Sequence, residues 1–312
     1  MIKALIYHSL SEFFKVSYVR VLVLGIGKMG TVIIRDLIES EDVVEIVAAD
    51  LDVRRVQRYI ELLGDKRLRA QKVDATNYSS LVSLMERGFD VIISSLNYVA
   101  LGPVVRMNVI KAAIEAEVNY IDLVSPNLDV LSLDETAKKA NVTIIPGIGV
   151  DPGIDLFCVG YGVSKLDKVK KINIYCGGFP QKNTPGYRNP FHYKITFAWN
   201  SVVKAVHGKA KVLLNGNIVE VNKLENPEKI FFPEPIGECE AWFSGARLEL
   251  IDLLNLQDIE ELWSKTVRWP GYCEMWRKFI DLHLTDEEPL IVKGCKISPR
   301  DFIVAWGNKY LQ

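Results

Sequence analysis

Six short apolar runs alternate with amphipathic stretches in the first half of the chain, and this alternation restricts its possible folds more than any other feature. Short runs rich in valine and isoleucine predict buried strands, whereas the amphipathic stretches predict helices. Repeated strand and helix units form a parallel sheet that is covered by helices on both faces. Six strands make a complete doubly wound α/β domain. We predict strands at residues 19–24, 44–49, 69–73, 91–95, 120–123 and 142–145.

Helix ends are also visible in the sequence. Gly64 and Gly88 each follow an amphipathic stretch, and glycine is common just beyond the last turn of a helix. The predicted helices connect successive strands and lie at residues 29–39, 53–63, 79–87, 104–116 and 133–140.

The pattern changes where glycine and proline cluster at residues 146–155, which predicts a domain boundary near residue 147. Beyond it, Asn215 and Gly216 indicate a tight hairpin turn, and helices are predicted at residues 247–254, 271–283 and 298–311. The chain is thus predicted to carry an N-terminal extension (1–18), an α/β domain with a doubly wound parallel sheet (19–147) and a second, α+β domain (148–312).

A glycine-rich loop follows the first predicted strand directly. It reads Gly-Ile-Gly-Lys-Met-Gly and places Gly25, Gly27 and Gly30 at GxGxxG spacing between a strand and a helix. The first glycine permits a tight turn, the second lets the backbone approach a pyrophosphate, and the third lets the helix pack closely on the sheet. The helix N-terminus then points at the anion. We predict that this loop, with Lys28 and Met29, binds a dinucleotide.

The choice of dinucleotide depends on residues that follow the second strand. Asp50 lies about twenty residues after the loop, where a carboxylate commonly accepts hydrogen bonds from the ribose hydroxyls of NAD. Asp50 therefore favours NAD. Arg54 and Arg55 lie close to the same strand end and are able to hold the 2′-phosphate of NADP, so NADP is the alternative.

Further residues at strand ends are expected to contact the cofactor. Asp74 follows the third strand and is expected on the adenine side, or alternatively as a cap of the next helix. Ser95 ends the fourth strand and is expected to bind the cofactor, and Asn97 and Tyr98, which follow that strand, are expected at the nicotinamide end.

The charge composition excludes broad electrostatic binding. The chain has 38 basic and 39 acidic side chains, so it lacks the excess of basic residues expected of a protein that binds nucleic acid or anionic membranes. A small molecule is the expected partner. The five cysteines show no CxxC spacing, which predicts neither disulfides nor a metal site. Because no secretory leader or spanning segment is recognisable, we expect a cytoplasmic protein.

Five motifs follow one another in the second half of the chain. They are GIGVDPGID at 147–155, YCGGFP at 175–180, NPFHYKITFAWN at 189–200, TVRWPGYCEM at 266–275 and KISPRDF at 296–302. In this order they resemble the motifs of the saccharopine dehydrogenase family. The resemblance implies a Rossmann domain that binds a nicotinamide cofactor, a substrate domain that commonly mediates homodimer formation, and oxidation of a carbon that bears nitrogen.

The resemblance also implies roles for individual residues. Asp151 and Asp155 match the segment at the junction of cofactor and substrate, and Asp151 is favoured as the proton acceptor over a simple turn residue before proline. Cys176, Gly177 and Gly178 match a loop that lines the substrate, although Cys176 fits a packed apolar position equally well.

Two more residues are candidates for the site. Arg247 lies where saccharopine dehydrogenases carry an arginine that binds a substrate carboxylate, but the proline and asparagine expected before it are absent, so a solvated arginine is the alternative. Asp122 ends the fifth predicted strand on the side of the sheet where ligands bind. It is a second candidate proton acceptor, or else a helix or turn cap.

The resemblance is incomplete at both ends. The family continues beyond the KISPRDF helix with a segment that packs against the Rossmann domain, so the substrate domain is expected to be truncated. Two alternatives to a saccharopine dehydrogenase are a lysine 6-dehydrogenase and a catalytically silent protein that binds a dinucleotide.

Overall fold

The computed structural model describes residues 18–196 and 198–311, so nearly all of the predicted N-terminal extension lies outside the described residues. The described chain forms two compact units that divide between Pro152 and Gly153.

A six-stranded parallel sheet forms the centre of the first unit, with the strand order β3-β2-β1-β4-β5-β6. The predicted doubly wound α/β fold is therefore confirmed. Because β1 lies between β2 and β4, the strand order reverses there, and this is the point at which such sheets bind ligands. The strands are β1 (Val19–Leu24), β2 (Val43–Asp50), β3 (Leu68–Lys72), β4 (Val91–Ser94), β5 (Asn119–Asp122) and β6 (Ile144–Ile145).

Helices connect these strands, and most lie close to their predicted positions. Asp52 caps the second helix by accepting a hydrogen bond from the Arg55 N–H, and Gly64 ends it in the left-handed conformation. Gly102, with a φ of +89°, separates a short helix that was not predicted from the next one. The helices are α1 (Lys28–Ile38), α2 (Val53–Leu63), α3 (Tyr78–Met85), α4 (Tyr98–Leu101), α5 (Pro103–Glu115), α6 (Leu128–Leu131) and α7 (Asp134–Lys139).

Apolar side chains of β1 reach two separate cores. Leu22 and Leu24 pack in a cluster on one face of the sheet, whereas Val21 and Val23 pack in a cluster on the other face. Successive side chains of a strand point to opposite faces, so a strand that is buried on both sides needs a continuous apolar run. This is why the valine-rich runs identify the strands.

The second unit contains a mixed sheet. Its antiparallel path is β10-β11-β12-β8-β9, and β7 pairs in parallel with β12. Asn215 and Gly216 both have positive φ angles and form the predicted hairpin turn between β8 and β9. The strands of this sheet are β7 (Lys171–Cys176), β8 (Lys209–Leu214), β9 (Asn217–Asn222), β10 (Glu228–Phe232), β11 (Gly237–Gly245) and β12 (Glu261–Arg268). A separate antiparallel hairpin consists of β13 (Leu290–Val292) and β14 (Cys295–Ile297).

Helices of the second unit pack around an aromatic core that includes Trp199 and Trp276. Glu240 on β11 is buried and caps a helix from a distance, since its carboxylate accepts hydrogen bonds from the Gly271 N–H at 3.1 Å and the Cys273 N–H at 2.6 Å. The helices are α8 (Ile154–Val163), a 3₁₀ helix (Pro185–Tyr187), α9 (Trp199–Ala205), α10 (Leu250–Leu253), α11 (Tyr272–Asp281) and α12 (Pro299–Tyr310).

Helix α8 is apolar, yet each of its residues is at least partly exposed. Ile154, Phe157 and Tyr161 are 57%, 65% and 69% exposed, and their spacing places them on one side of the helix.

Across residues 18–196 and 198–311, no helix is long and apolar enough to span a bilayer.

Candidate functional site

The glycine-rich loop joins β1 to α1 as predicted. Gly25 has a φ of +83°, which glycine adopts without strain. A Cβ added to Gly30 would lie 2.1 Å from the Gly25 carbonyl oxygen, so the close turn requires glycine there. A Cβ added to Gly27 would meet no described atom within 4 Å. The loop thus leaves an open approach at Gly27, the N-cap residue of α1, which as a glycine has no side chain to cap the helix.

This geometry fits the pyrophosphate of a dinucleotide. The first N–H groups of a helix lack partners within the helix and attract anions. Lys28 and Met29, at the start of α1, are both exposed. The five loop residues predicted to bind the cofactor are therefore together at one helix N-terminus.

Asp50 lies at the end of β2 and is bound to this loop. Its Oδ2 accepts hydrogen bonds from the Ile26 N–H at 2.7 Å and from Arg55 Nη2 at 3.0 Å, and its Oδ1 accepts one from the Asp52 N–H at 3.0 Å. The carboxylate is thus already engaged by the protein. Through the ion pair, Asp50 holds the Arg55 guanidinium at the end of β2, where the ribose of a dinucleotide is bound in this fold.

Asp74 is exposed after β3 and forms a local turn. Its Oδ1 accepts hydrogen bonds from the hydroxyl and N–H of Thr76, which lower the pKa of the Asp74 carboxyl. The cap of α3 is Asn77, which accepts a hydrogen bond from the Ser80 N–H, so the alternative role of Asp74 as the helix cap is not observed. A surface cavity of about 600 Å³ lies beside Asp74 and extends along α3 to Arg87.

The three residues after β4 that were predicted to bind the cofactor differ in their surroundings. Ser95 faces the glycine loop, with its N–H bound to the Leu24 carbonyl at 2.8 Å and its hydroxyl to the Gly25 carbonyl. Asn97 is exposed and caps α4 by accepting a hydrogen bond from the Ala100 N–H at 3.3 Å. Tyr98 was expected to line the nicotinamide end, but it is buried, with its side chain inside the unit.

Asp122 is an unsuitable proton acceptor, contrary to one sequence expectation. The residue has no exposed surface, and its carboxylate binds Arg106 through Nε at 2.8 Å and Nη2 at 3.1 Å. It also accepts hydrogen bonds from the Tyr120 hydroxyl and the Val124 N–H. A fully buried carboxylate with these partners holds the fold together around the end of β5, and a substrate cannot reach it.

Two residues predicted to bind substrate lie together in the second unit. Arg247 Nη1 is 2.9 Å from Asp155 Oδ2, and the two side chains are 13% and 6% exposed. Asp155 Oδ1 also accepts a hydrogen bond from the Gly153 N–H at 2.7 Å. Asp155 therefore orients the Arg247 guanidinium from the first turn of α8. Asp151, the favoured proton acceptor, is exposed in the turn that precedes this helix.

The loop that follows β7 is shaped by packing at one glycine. A Cβ added to Gly177 would lie 2.4 Å from the Val267 carbonyl oxygen, so the close contact between β7 and β12 requires glycine. Gly178 is exposed and open, since its added Cβ would approach only Thr196 Oγ1 at 3.9 Å among described atoms. Cys176 is half-buried at the end of β7. Gly177 and Gly178 are both exposed, and Gly178 has the more open surroundings.

Sequence reasoning missed Arg106, which is 5% exposed. An arginine inside the apolar stretch Val104 to Ile110 was the available signal, because a buried charge requires a partner.

Among the described residues, no group of three or more His, Cys, Asp or Glu side chains is arranged to hold a metal ion.

Comparisons with known proteins match both units. A family model described as the saccharopine dehydrogenase NADP binding domain matches residues 21–145, and one described as the saccharopine dehydrogenase C-terminal domain matches residues 149–306. The first description supports a nicotinamide dinucleotide as cofactor and favours NADP over the NAD that Asp50 suggested.

Individual relatives extend beyond this chain. Saccharopine dehydrogenase [NADP(+), L-glutamate-forming] of Saccharomyces cerevisiae is 27% identical over 280 residues, which cover 86% of this chain and 59% of that protein. Mitochondrial alpha-aminoadipic semialdehyde synthase of Bos taurus is 26% identical over 284 residues, which cover 86% of this chain and 29% of that protein. The chain thus spans well under two thirds of each relative.

A solved structure shares the fold. Apo saccharopine dehydrogenase (L-Glu forming) from Saccharomyces cerevisiae superposes with a TM-score of 0.73 at 24% identity, covering 88% of this chain and 60% of that chain.

Proposed function

Because this chain belongs to the saccharopine dehydrogenase family, we propose that it is an NADP-dependent oxidoreductase that acts on a CH–NH group of a saccharopine-like amino acid. The observation that carries the proposal is the glycine-rich loop between β1 and α1, with its close turn at Gly25 and Gly30 and its open approach at Gly27. Lysine is the alternative substrate, as in lysine 6-dehydrogenases.

The end of β2 supports NADP. Asp50 is already bonded to the Ile26 N–H and to Arg55, and the Arg55 side chain is 49% exposed. A guanidinium held in place by a carboxylate is well suited to a phosphate, which it binds through two parallel hydrogen bonds. Arg55 would therefore hold the 2′-phosphate, and Asp50 would position Arg55 as well as the loop.

The paired Asp155 and Arg247 support a substrate with a carboxylate. Asp155 restricts the orientation of the guanidinium, and an oriented guanidinium selects a carboxylate over other acceptors. The exposed backbone of Gly178 would donate a further hydrogen bond.

In the proposed reaction, the bound dinucleotide supplies the hydride acceptor. The Asp151 carboxylate takes a proton from the substrate ammonium, and the carbon that bears the nitrogen then loses a hydride. Water adds to the resulting protonated C=N bond, which breaks to give an aldehyde and a free amine.

Purified protein, incubated with NADP or NAD and with saccharopine or lysine, tests this function through the absorbance of the reduced cofactor. We expect turnover with saccharopine and NADP, its loss in Arg247→Lys, and its retention in Arg277→Lys, which changes an exposed arginine on α11. Turnover of lysine alone would identify a lysine 6-dehydrogenase. Binding of NADPH without turnover of either substrate would identify a catalytically silent dinucleotide-binding protein.

Assembly as a homodimer and residence in the cytoplasm are also proposed, from the family resemblance. The exposed apolar side of α8 and the exposed β13–β14 hairpin are candidate contact surfaces for the dimer. Light scattering on the purified protein would give its mass in solution, and a monomer would refute the dimer.

A further inference from the structure

The turn between β4 and α4 packs directly on the glycine-rich loop. Ser95 binds the carbonyl groups of Leu24 and Gly25, and a Cβ added to Gly25 would lie 3.0 Å from the Leu96 nitrogen. A Cβ added to Gly30 would lie 2.9 Å from Ser95 Oγ. A shift of this turn by a few tenths of an ångström would therefore change the shape of the loop.

A hydrogen bond between two buried hydroxyl groups closes this turn. Ser94, the last residue of β4, and Tyr98, the first residue of α4, are joined by a hydrogen bond of 2.7 Å between their side-chain oxygens. The two side chains thus connect the ends of the short segment that carries Ser95 and Asn97. Ser94 is 1% exposed and Tyr98 is 6% exposed, so water does not readily replace this bond.

The same hydroxyl group connects the turn to the core. Tyr98 Oη lies 3.1 Å from Tyr120 Oη, and the Tyr120 hydroxyl donates to Asp122 Oδ2 at 3.1 Å. Asp122 is in turn held by Arg106. Burial raises the pKa of Tyr98 to about 12, so its hydroxyl keeps its proton and can donate at neutral pH. A continuous chain of buried hydrogen bonds therefore runs from the ion pair to the turn.

We propose that Tyr98 is a positioning residue for the nicotinamide half of the cofactor: its hydroxyl group fixes the β4–α4 turn against the glycine-rich loop. The inference rests on the proposed binding of a nicotinamide dinucleotide. In a doubly wound sheet the dinucleotide lies across the carboxyl ends of the strands at the point where the strand order reverses. Asp50 on β2 identifies the adenosine side, which places the turn after β4 on the nicotinamide side.

The position of the turn leads to a selective prediction. Tyr98→Phe keeps the buried ring but removes a hydroxyl that bonds to both Ser94 and Tyr120. We expect the dissociation constant of NADPH to rise about tenfold, the effect expected from losing the buried hydrogen bond to Ser94 that closes the turn. The affinity for adenosine 2′,5′-bisphosphate, which contains only the adenosine half, should stay within twofold of the wild-type value.

Fluorescence titration with NADPH and calorimetry with adenosine 2′,5′-bisphosphate measure the two affinities. Tyr78→Phe is the matched control, because the Tyr78 hydroxyl binds Glu115 on α5, whereas the bonds that close the turn join Tyr98 to Ser94 and Tyr120. Ser94→Ala removes the other partner of the bond and should give the same selective loss, with little further loss in the double variant. It also tests the inference if Tyr98→Phe does not fold.

Each other outcome refutes the inference in a distinct way. Unchanged NADPH affinity in the Tyr98 and Ser94 variants would refute the role of Tyr98 and leave dinucleotide binding intact. Equal weakening of both ligands would show a general effect on folding rather than positioning. If the wild-type protein bound neither ligand, both the proposed function and this inference would be wrong.

Discussion

Two glycines of the loop, Gly27 and Gly30, should respond very differently to the same substitution. In Gly27→Ala the new methyl group meets no described atom within 4 Å, whereas in Gly30→Ala it would lie 2.1 Å from the Gly25 carbonyl oxygen. Gly27 has a φ of −87°, which alanine also adopts readily. We therefore expect Gly27→Ala to impair binding without unfolding the protein, and Gly30→Ala to impair folding itself.

The magnitudes follow from these positions. At Gly27, alanine restricts the unfolded chain, which stabilises the protein by about 0.4–1 kcal/mol. Alanine is also a poorer N-cap residue than glycine, and this costs roughly as much. The free energy of unfolding should therefore change little. At Gly30, forcing a methyl group against backbone should cost about 3 kcal/mol, and the melting temperature should fall by roughly 6–12 °C. A methyl group in the path of the pyrophosphate should weaken NADPH binding by roughly 5- to 150-fold.

Thermal unfolding and NADPH titration of both variants test this reasoning. The expected pattern is a wild-type melting temperature with weak binding for Gly27→Ala, and a lowered melting temperature for Gly30→Ala. Wild-type affinity in Gly27→Ala would show that the pyrophosphate does not approach the backbone at this glycine, and the assignment of the loop would fail.

Four other variants are predicted from the structure. Arg106→Met leaves Asp122 buried without its ion-pair partner and should lower the free energy of unfolding by about 3–5 kcal/mol in urea titrations; a change below about 1 kcal/mol would contradict the buried pair. Glu240→Ala removes both hydrogen bonds to the first turn of α11 and should cost about 2–3 kcal/mol, measured in the same way. Burial lowers the pKa of His207 from its ordinary value of 6.5, so the unfolded chain binds a proton more readily. The contribution of His207 to the free energy of unfolding should therefore be complete above pH 6.5 and be lost as the pH falls through the lowered pKa. His207→Gln should reduce this pH dependence of stability. An unchanged pH profile in the variant would rule out this role of His207. Arg55→Ala should weaken NADPH binding roughly tenfold while NADH binding changes little; equal losses would disprove its contact with the 2′-phosphate.

The first unit was largely predictable because its determinants are local. Each buried strand is an apolar run, and the loop after β1 has a fixed glycine spacing. The short helix α4 was missed because its ends depend on Asn97 as a cap and on Gly102, and such caps override weak periodicity.

The roles of individual polar residues were harder to predict, because they depend on partners distant in sequence. Asp122 looked accessible at a strand end, but Arg106 and Tyr120 enclose its carboxylate. Similarly, Arg247 could be matched to a substrate role, but its ion pair with Asp155 joins two distant segments. Hydrophobic periodicity within a single sequence predicts helices and strands, but it does not predict which charged residues pair with each other.

If the dimer forms through the β13–β14 hairpin and leaves α8 uncovered, the apolar side of α8 also determines how the protein behaves during purification. Sulfate is excluded from protein surfaces and strengthens the association of apolar groups, so Ile154, Phe157 and Tyr161 should drive precipitation at low ammonium sulfate concentrations. The same side chains should retain the protein on a phenyl column. In crystals grown from sulfate, this side of the helix is where lattice contacts should form first.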